Sequence, residues 1–207
     1  MADPAQNIEA NQVGIARLGL KQVITGLGWL AGAYAIGLVG PYVPALPFAA
    51  RGWLPLIARL VAEAVLIGGL LKVADGPDRW KVRELAIFGG LATLLRPLFW
   101  ALRTGLFMVH VEWELSGLLS GLVVLVDAGA FAAIAYVLVR IQTESGGDAH
   151  PTLAVGVYVS AGVMGATTVL ERFVNVSRGV PLTALAGLAL AVTLFLLARQ
   201  CQASLPR

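Results

Sequence analysis

Three charged side chains fall at the middle of long apolar stretches: Glu63, Arg96 and Asp127. A charge at bilayer depth costs at least about 2.5–3.5 kcal/mol, so it normally faces a partner or a wet cavity. Two more cations belong to the same stretches. Arg59 precedes Glu63 by four residues, which puts both on one helix face and lets them pair. Arg103 follows Arg96 by seven, again one face, which must point into a bundle. At a rise of about 1.5 Å per residue, Glu63, Arg96 and Asp127 share one layer near the midplane. Arg59 and Arg103 form a second layer nearer the outer surface. Pro97 removes a helix hydrogen bond beside Arg96 and leaves a carbonyl in need of a partner. Tyr34 and Ser160 are further polar side chains near the midplane.

Two uses of this set follow. Arg59, Arg96 and Arg103 can grip an anionic or zwitterionic solute through bidentate contacts, while Glu63 and Asp127 balance charge or carry a proton. Alternatively, the five side chains seal into a network that fixes how three helices pack. The first use predicts an outward-facing charged cavity in a small transporter-like or substrate-binding membrane protein. The second predicts a non-catalytic structural or assembly subunit of a larger membrane complex.

The elements that hold these residues are apolar. The chain is 58% hydrophobic and 13% charged, against about 25% charged in soluble domains. Its mean hydropathy is +0.81. No soluble core of 207 residues needs this much apolar surface, so the excess faces lipid. Six stretches approach the 20 or so apolar residues that a spanning helix requires: Val23–Val43, Trp53–Ala74, Leu85–Val109, Leu115–Val139, Thr152–Leu170 and Pro181–Ala198. Pro55 suits the first turn of the second. Asp75-Gly76-Pro77-Asp78 and Glu144-Ser145-Gly146-Gly147-Asp148 read as turns. The expected fold is an all-α membrane bundle of six transmembrane helices over 23–198. Residues 1–22 form a cytoplasmic N-terminal segment, and 199–207 a cytoplasmic tail carrying Cys201. Within the former, residues 8–22 read either as a helix on the membrane surface or as a frayed lead-in.

Orientation follows the cations. With the N-terminus inside, Arg17, Lys21, Lys72, Arg79, Lys81, Arg83, Arg140, Arg199 and Arg207 are all cytoplasmic, and only Arg51, Arg172 and Arg178 face out. Both termini are therefore expected in the cytoplasm, in a plasma (inner) membrane. Trp53 and Trp113 then anchor the outer interface and Trp80 the inner one. Gly28/Gly32, Gly117/Gly121 and Gly162/Gly165 offer small faces for helix contacts, partner subunits or a homo-oligomer.

The net charge of +3 gives no reason to invoke nucleic acid. His110, Glu112 and Glu114 in one short turn make a weak metal set, and His150 falls on the other side of the membrane, which disfavours a haem. Asn175-Val176-Ser177 is a glycosylation sequon. Ser120 has no histidine at its depth to activate it. The expectation is no enzyme, no metal and no cofactor, with the lipid bilayer and a small anionic solute as partners.

Overall fold

The computed structural model describes residues 4–39, 42–43, 48–108, 113–146, 151–173 and 182–205; several side chains within the helices, Arg96 and Arg103 among them, lie outside the described set. The described residues form six long helices and no strand: α1 (Pro4–Val39), α2 (Phe48–Ala74), α3 (Arg83–Met108), α4 (Trp113–Glu144), α5 (Pro151–Phe173) and α6 (Leu182–Ser204). Four contain stretches long and apolar enough to cross a membrane: Asn7–Val39, Leu54–Ala74, Leu125–Glu144 and Ala184–Ser204. Ala154–Val163 of α5 is a shorter apolar stretch. The protein is an all-helical membrane protein.

Each helix packs on its sequence neighbour, and α1 also packs on α6, which closes the six into a ring; α4 additionally touches α6. The antiparallel α1–α2 seam is the tightest. Ala16, Leu20, Val23, Leu27 and Leu30 are all buried, and their alternating spacing of four and three is that of a coiled-coil stripe. Ala62, Leu66, Leu70 and Val73 face them from α2. Glycine is required at the crossing. A Cβ on Gly69 would sit 2.7 Å from Val23 N, and one on Gly19 would sit 2.7 Å from the Gly69 carbonyl oxygen. Gly26 approaches Leu66 N almost as closely, at 2.9 Å.

These contacts change three sequence expectations. The close-approach glycines of the α1–α2 seam are 19, 26 and 69. Gly28 meets only Phe195 of α6 at ordinary distance, and Gly32 and both Gly162 and Gly165 have nothing within 4 Å. Gly117 and Gly121 carry no described side-chain surroundings. Residues 8–22 belong to α1, which continues without a break at 22, and the buried stripe starts within them at Ala16. Pro55 lies inside α2, which starts at Phe48 rather than Trp53.

The α2–α3 turn forms as expected, with Gly76 N donating to Val73 O at 3.0 Å. It continues into a 3₁₀ turn, Asp78–Trp80, closed by Lys81 in the left-handed region (φ 51°, ψ 39°). Trp80 is not an interfacial anchor. Its ring is 1% exposed and belongs to the core, and its Nε1 finds no hydrogen-bond partner among the described residues. Cys201 likewise lies in the core, since α6 runs on to Ser204 and extends the stripe Leu190, Leu194, Leu197. The α4 turn ends on Gly146 at φ +76°, with Ser145 N donating to Ile141 O, a left-handed helix stop that glycine makes at no steric cost.

The outward faces are apolar in the manner lipid demands. Leu54, Ile57 and Val61 of α2, Phe88, Leu91, Leu94 and Leu98 of α3, and Leu185, Val192 and Leu196 of α6 are all exposed.

Candidate functional site

The i, i+4 spacing on α2 does what helix geometry requires: Arg59 Nε donates to Glu63 Oε1 at 3.0 Å. The same guanidinium crosses to α4, where Nη2 donates to Asp127 Oδ2 at 3.4 Å. α2 and α4 are not among the closely packed helix pairs, so the long arginine side chain spans the space between them. From α1, the Tyr34 ring lies under the guanidinium, 5.3 Å from its centroid to Arg59 Cζ, a cation–π contact. Gly187 of α6 makes room for that ring; a Cβ there would sit 2.5 Å from Tyr34 Cε1. Three helices thus converge on one arginine, and α6 packs on its aromatic neighbour Tyr34.

Both acids are buried, Glu63 at 3% and Asp127 at 5% exposure, whereas the Arg59 side chain remains 30% exposed. The geometry explains the difference. Nε and Nη2 lie on one side of the planar guanidinium, and the two carboxylates take that side. Nη1, at the end, has no partner among the described residues. A guanidinium offers five N–H donors, so a second fork, Nη1 with the remaining Nη2 proton, is unused among the described residues. The two carboxylates hold the plane still, which reduces the freedom a ligand would have to freeze. The longer Asp127 contact exceeds the 2.7–2.9 Å typical of a strong charged hydrogen bond, making it the looser of the two.

Of the five residues singled out from the sequence, the structure brings Arg59, Glu63 and Asp127 together. The side chains of Arg96 and Arg103 lie outside the described residues; their backbone places both on α3. The layers drawn by residue counting merge here, because Arg59 reaches Asp127 from a turn away. Tyr34 was visible as a mid-span polar residue but nothing in the sequence tied it to Arg59. Gly187 carried no signal at all. Below the cluster, Leu27, Leu30, Leu66, Leu70, Ile134, Leu138, Leu190 and Leu194 form a fully buried apolar layer. Thr93 is buried and donates its hydroxyl to the Gly89 carbonyl at 2.7 Å.

Among the described residues no group of three His, Cys, Asp or Glu side chains is placed to hold a metal. His110, Glu112, His150, Ser120 and the sequon at Asn175 lie outside the residues whose side chains are described. No protein-family model matches the chain, and no curated protein or solved structure is significantly similar to it.

Proposed function

We propose that this chain is a six-span integral membrane protein of the plasma (inner) membrane with both termini in the cytoplasm. It binds a small anionic or zwitterionic solute from the outer side, in the manner of a small transporter or substrate-binding membrane subunit. Binding and translocation, not catalysis, are its role. The observation that carries this reading is the open end of Arg59: a guanidinium fixed by two buried carboxylates and an aromatic ring, yet 30% exposed. Intramembrane charges that face a wet space commonly mark solute paths. The apolar layer from Leu27 to Leu194 closes the bundle on the cytoplasmic side of that space.

Water access tests this. Single cysteines along 97–107 of α3, in a Cys201→Ala background, are reacted with a membrane-impermeant thiol reagent added from outside. A labelled stripe on the Arg96–Arg103 face is the expected result. Protection of every position below the outer turn removes the cavity.

One observation favours a second reading. Arg59 ties α2 to α4 where their backbones are not packed, as a purely structural clamp would. In that case the chain is an assembly subunit, and sealed cysteines combined with co-purification of a membrane partner are its signature.

A further inference from the structure

We propose that an anionic phospholipid docks on the outer flank of α1, its phosphodiester held between Lys21 and Arg199 with Lys72 beside them. In three adjoining helices the first charge that bounds the apolar run is a cation: Lys21 below 22–39 of α1, Lys72 below 64–71 of α2, and Arg199 below 182–198 of α6. Packing puts the three near one level. A Cβ on Gly19 would meet the Lys72 Cβ at 2.9 Å, so Lys72 lies about 3 Å in depth from Lys21. Gly28 is level with Phe195, its Cβ position 3.6 Å from the ring. Lys21 is seven residues from Gly28, and Arg199 four from Phe195 in the same direction, which leaves them roughly 4–5 Å apart in depth. α1 packs on both α2 and α6, so Lys21 stands between the other two. Lys72 also lies nine residues from Glu63, roughly 13 Å, about half the thickness of a bilayer's apolar core. That is the depth of headgroups.

Charge complementarity names the occupant. Lys21, Lys72 and Arg199 are exposed, and among the described residues none of them joins an ion pair. Other cations at this end are spent: Arg17 on the Leu205 carbonyl, Arg79 on Glu9 and Arg140 on Glu144. Lys81 and Arg83 stand among Asp78 and Glu84. α6 carries no acid, and α1 none after Glu9; on the α2 side Asp75 follows only in the turn beyond Lys72. The flank is therefore of one sign at the edge of the apolar region. The Arg199 guanidinium rests over the Phe195 ring at 5.8 Å, which steadies a fork suited to phosphate oxygens, while Lys21 adds a point charge. Toward the bilayer centre, Thr25, Gly28 and Gly32 continue the Lys21 face at spacings of four, three and four. Thr25 turns its hydroxyl back on the Lys21 carbonyl at 2.9 Å, and Gly32 has nothing within 4 Å. No long side chain stands on this strip, so an acyl chain can lie along it with Phe195 as one wall. From Lys21 to Gly32 it runs roughly 16 Å, the depth of one leaflet.

The test is native mass spectrometry of the detergent-purified full chain, titrated with phosphatidylglycerol or phosphatidylcholine of identical acyl chains. Both carry a phosphodiester, but only the first has a net negative charge. Wild type should retain one phosphatidylglycerol at concentrations where phosphatidylcholine is lost. One cation beside an anionic headgroup contributes about fivefold in affinity. Lys21→Gln and Arg199→Gln should therefore each bind phosphatidylglycerol about fivefold more weakly, and Lys21→Arg should bind it as wild type does. Arg83→Gln, an exposed cation off this flank, should also match wild type. Equal retention of the two lipids by wild type overturns the proposal, and that comparison needs no variant to fold. A loss in Arg83→Gln as large as in Lys21→Gln overturns it too, because the attraction would then be diffuse. Displacement of the bound lipid by soluble glycerol phosphate would assign the cations to a free phosphate instead and equally overturn it.

Discussion

Gly69→Ala should loosen the bundle, and the size of the effect can be worked from the seam. The added methyl would sit 2.7 Å from Val23 N and 2.8 Å from the Gly19 carbonyl oxygen, both backbone atoms that cannot swing away. Restoring ordinary 3.4 Å contact moves α1 off α2 by roughly 0.7 Å. A gap of 0.5–1 Å forfeits about a quarter to a half of the dispersion well for each affected atom pair. The pairs affected lie along Leu20, Val23, Leu66 and Leu70. Overpacking of this kind costs about 1–3 kcal/mol, and alanine returns up to about 1 kcal/mol of helix propensity. The net loss is about 1–2 kcal/mol. Gly32→Ala is the matched control, with nothing within 4 Å, so it should be neutral or stabilised by up to about 1 kcal/mol. At about 2–4 °C per kcal/mol for a chain of this size, Gly69→Ala should melt roughly 2–12 °C below Gly32→Ala. Thermal circular dichroism in one detergent reads the difference. Coincident melts would refute the seam. A lower melt for Gly32→Ala would mean that the Gly28/Gly32 face is the real contact.

Two other perturbations follow from buried or strained positions. Cys201, fully buried, should stay unlabelled by a membrane-permeant maleimide until the protein is denatured, because shielded thiols are inert; mass spectrometry before and after denaturation gives the result, and rapid labelling of native protein would contradict it. Lys81→Gly removes a side chain from a left-handed backbone position and should stabilise the fold by roughly 1 kcal/mol, seen as a small rise in melting temperature; a fall would mean that the lysine stem contributes more than its strain costs.

The charged cluster was legible in part. An i, i+4 pair on an amphiphilic face has one geometry, so Arg59–Glu63 could be read from numbers alone, and counting residues put Asp127 near the same depth. What counting cannot carry is the length of an arginine side chain, which let Arg59 reach across to a different layer. The glycines were harder. Gly28/Gly32 matched a familiar spacing, but the contact stripe is set by Ala16, Leu20, Val23, Leu27 and Leu30, and Gly19 and Gly26 flank that stripe, seven apart. That stripe is itself in the sequence, and its spacing of four and three carries α1 through residue 22 where apolar content alone does not. Trp80 looked like an anchor because tryptophan favours interfaces; the Gly76 turn instead tucks its ring inward, where a Cβ at position 76 would meet it at 2.9 Å.

The contact between the first helix and the last has a consequence for how the bundle is made. Arg17 Nη2 donates to the Leu205 carbonyl at 3.3 Å, across 188 residues. α1 leaves the ribosome first, yet one flank of its packing surface is completed only by α6. Until α6 arrives, Tyr34 lacks the Gly187 notch and Phe195 has not reached Gly28. α1 and α2 can form their seam early, as local pairs do, but the ring closes through the longest-range contacts in the chain, the kind that slow assembly. Maturation therefore hinges on α6, and an insertion machinery that held α1 and α2 together while the other helices entered would be aiding the step that the sequence order makes slowest.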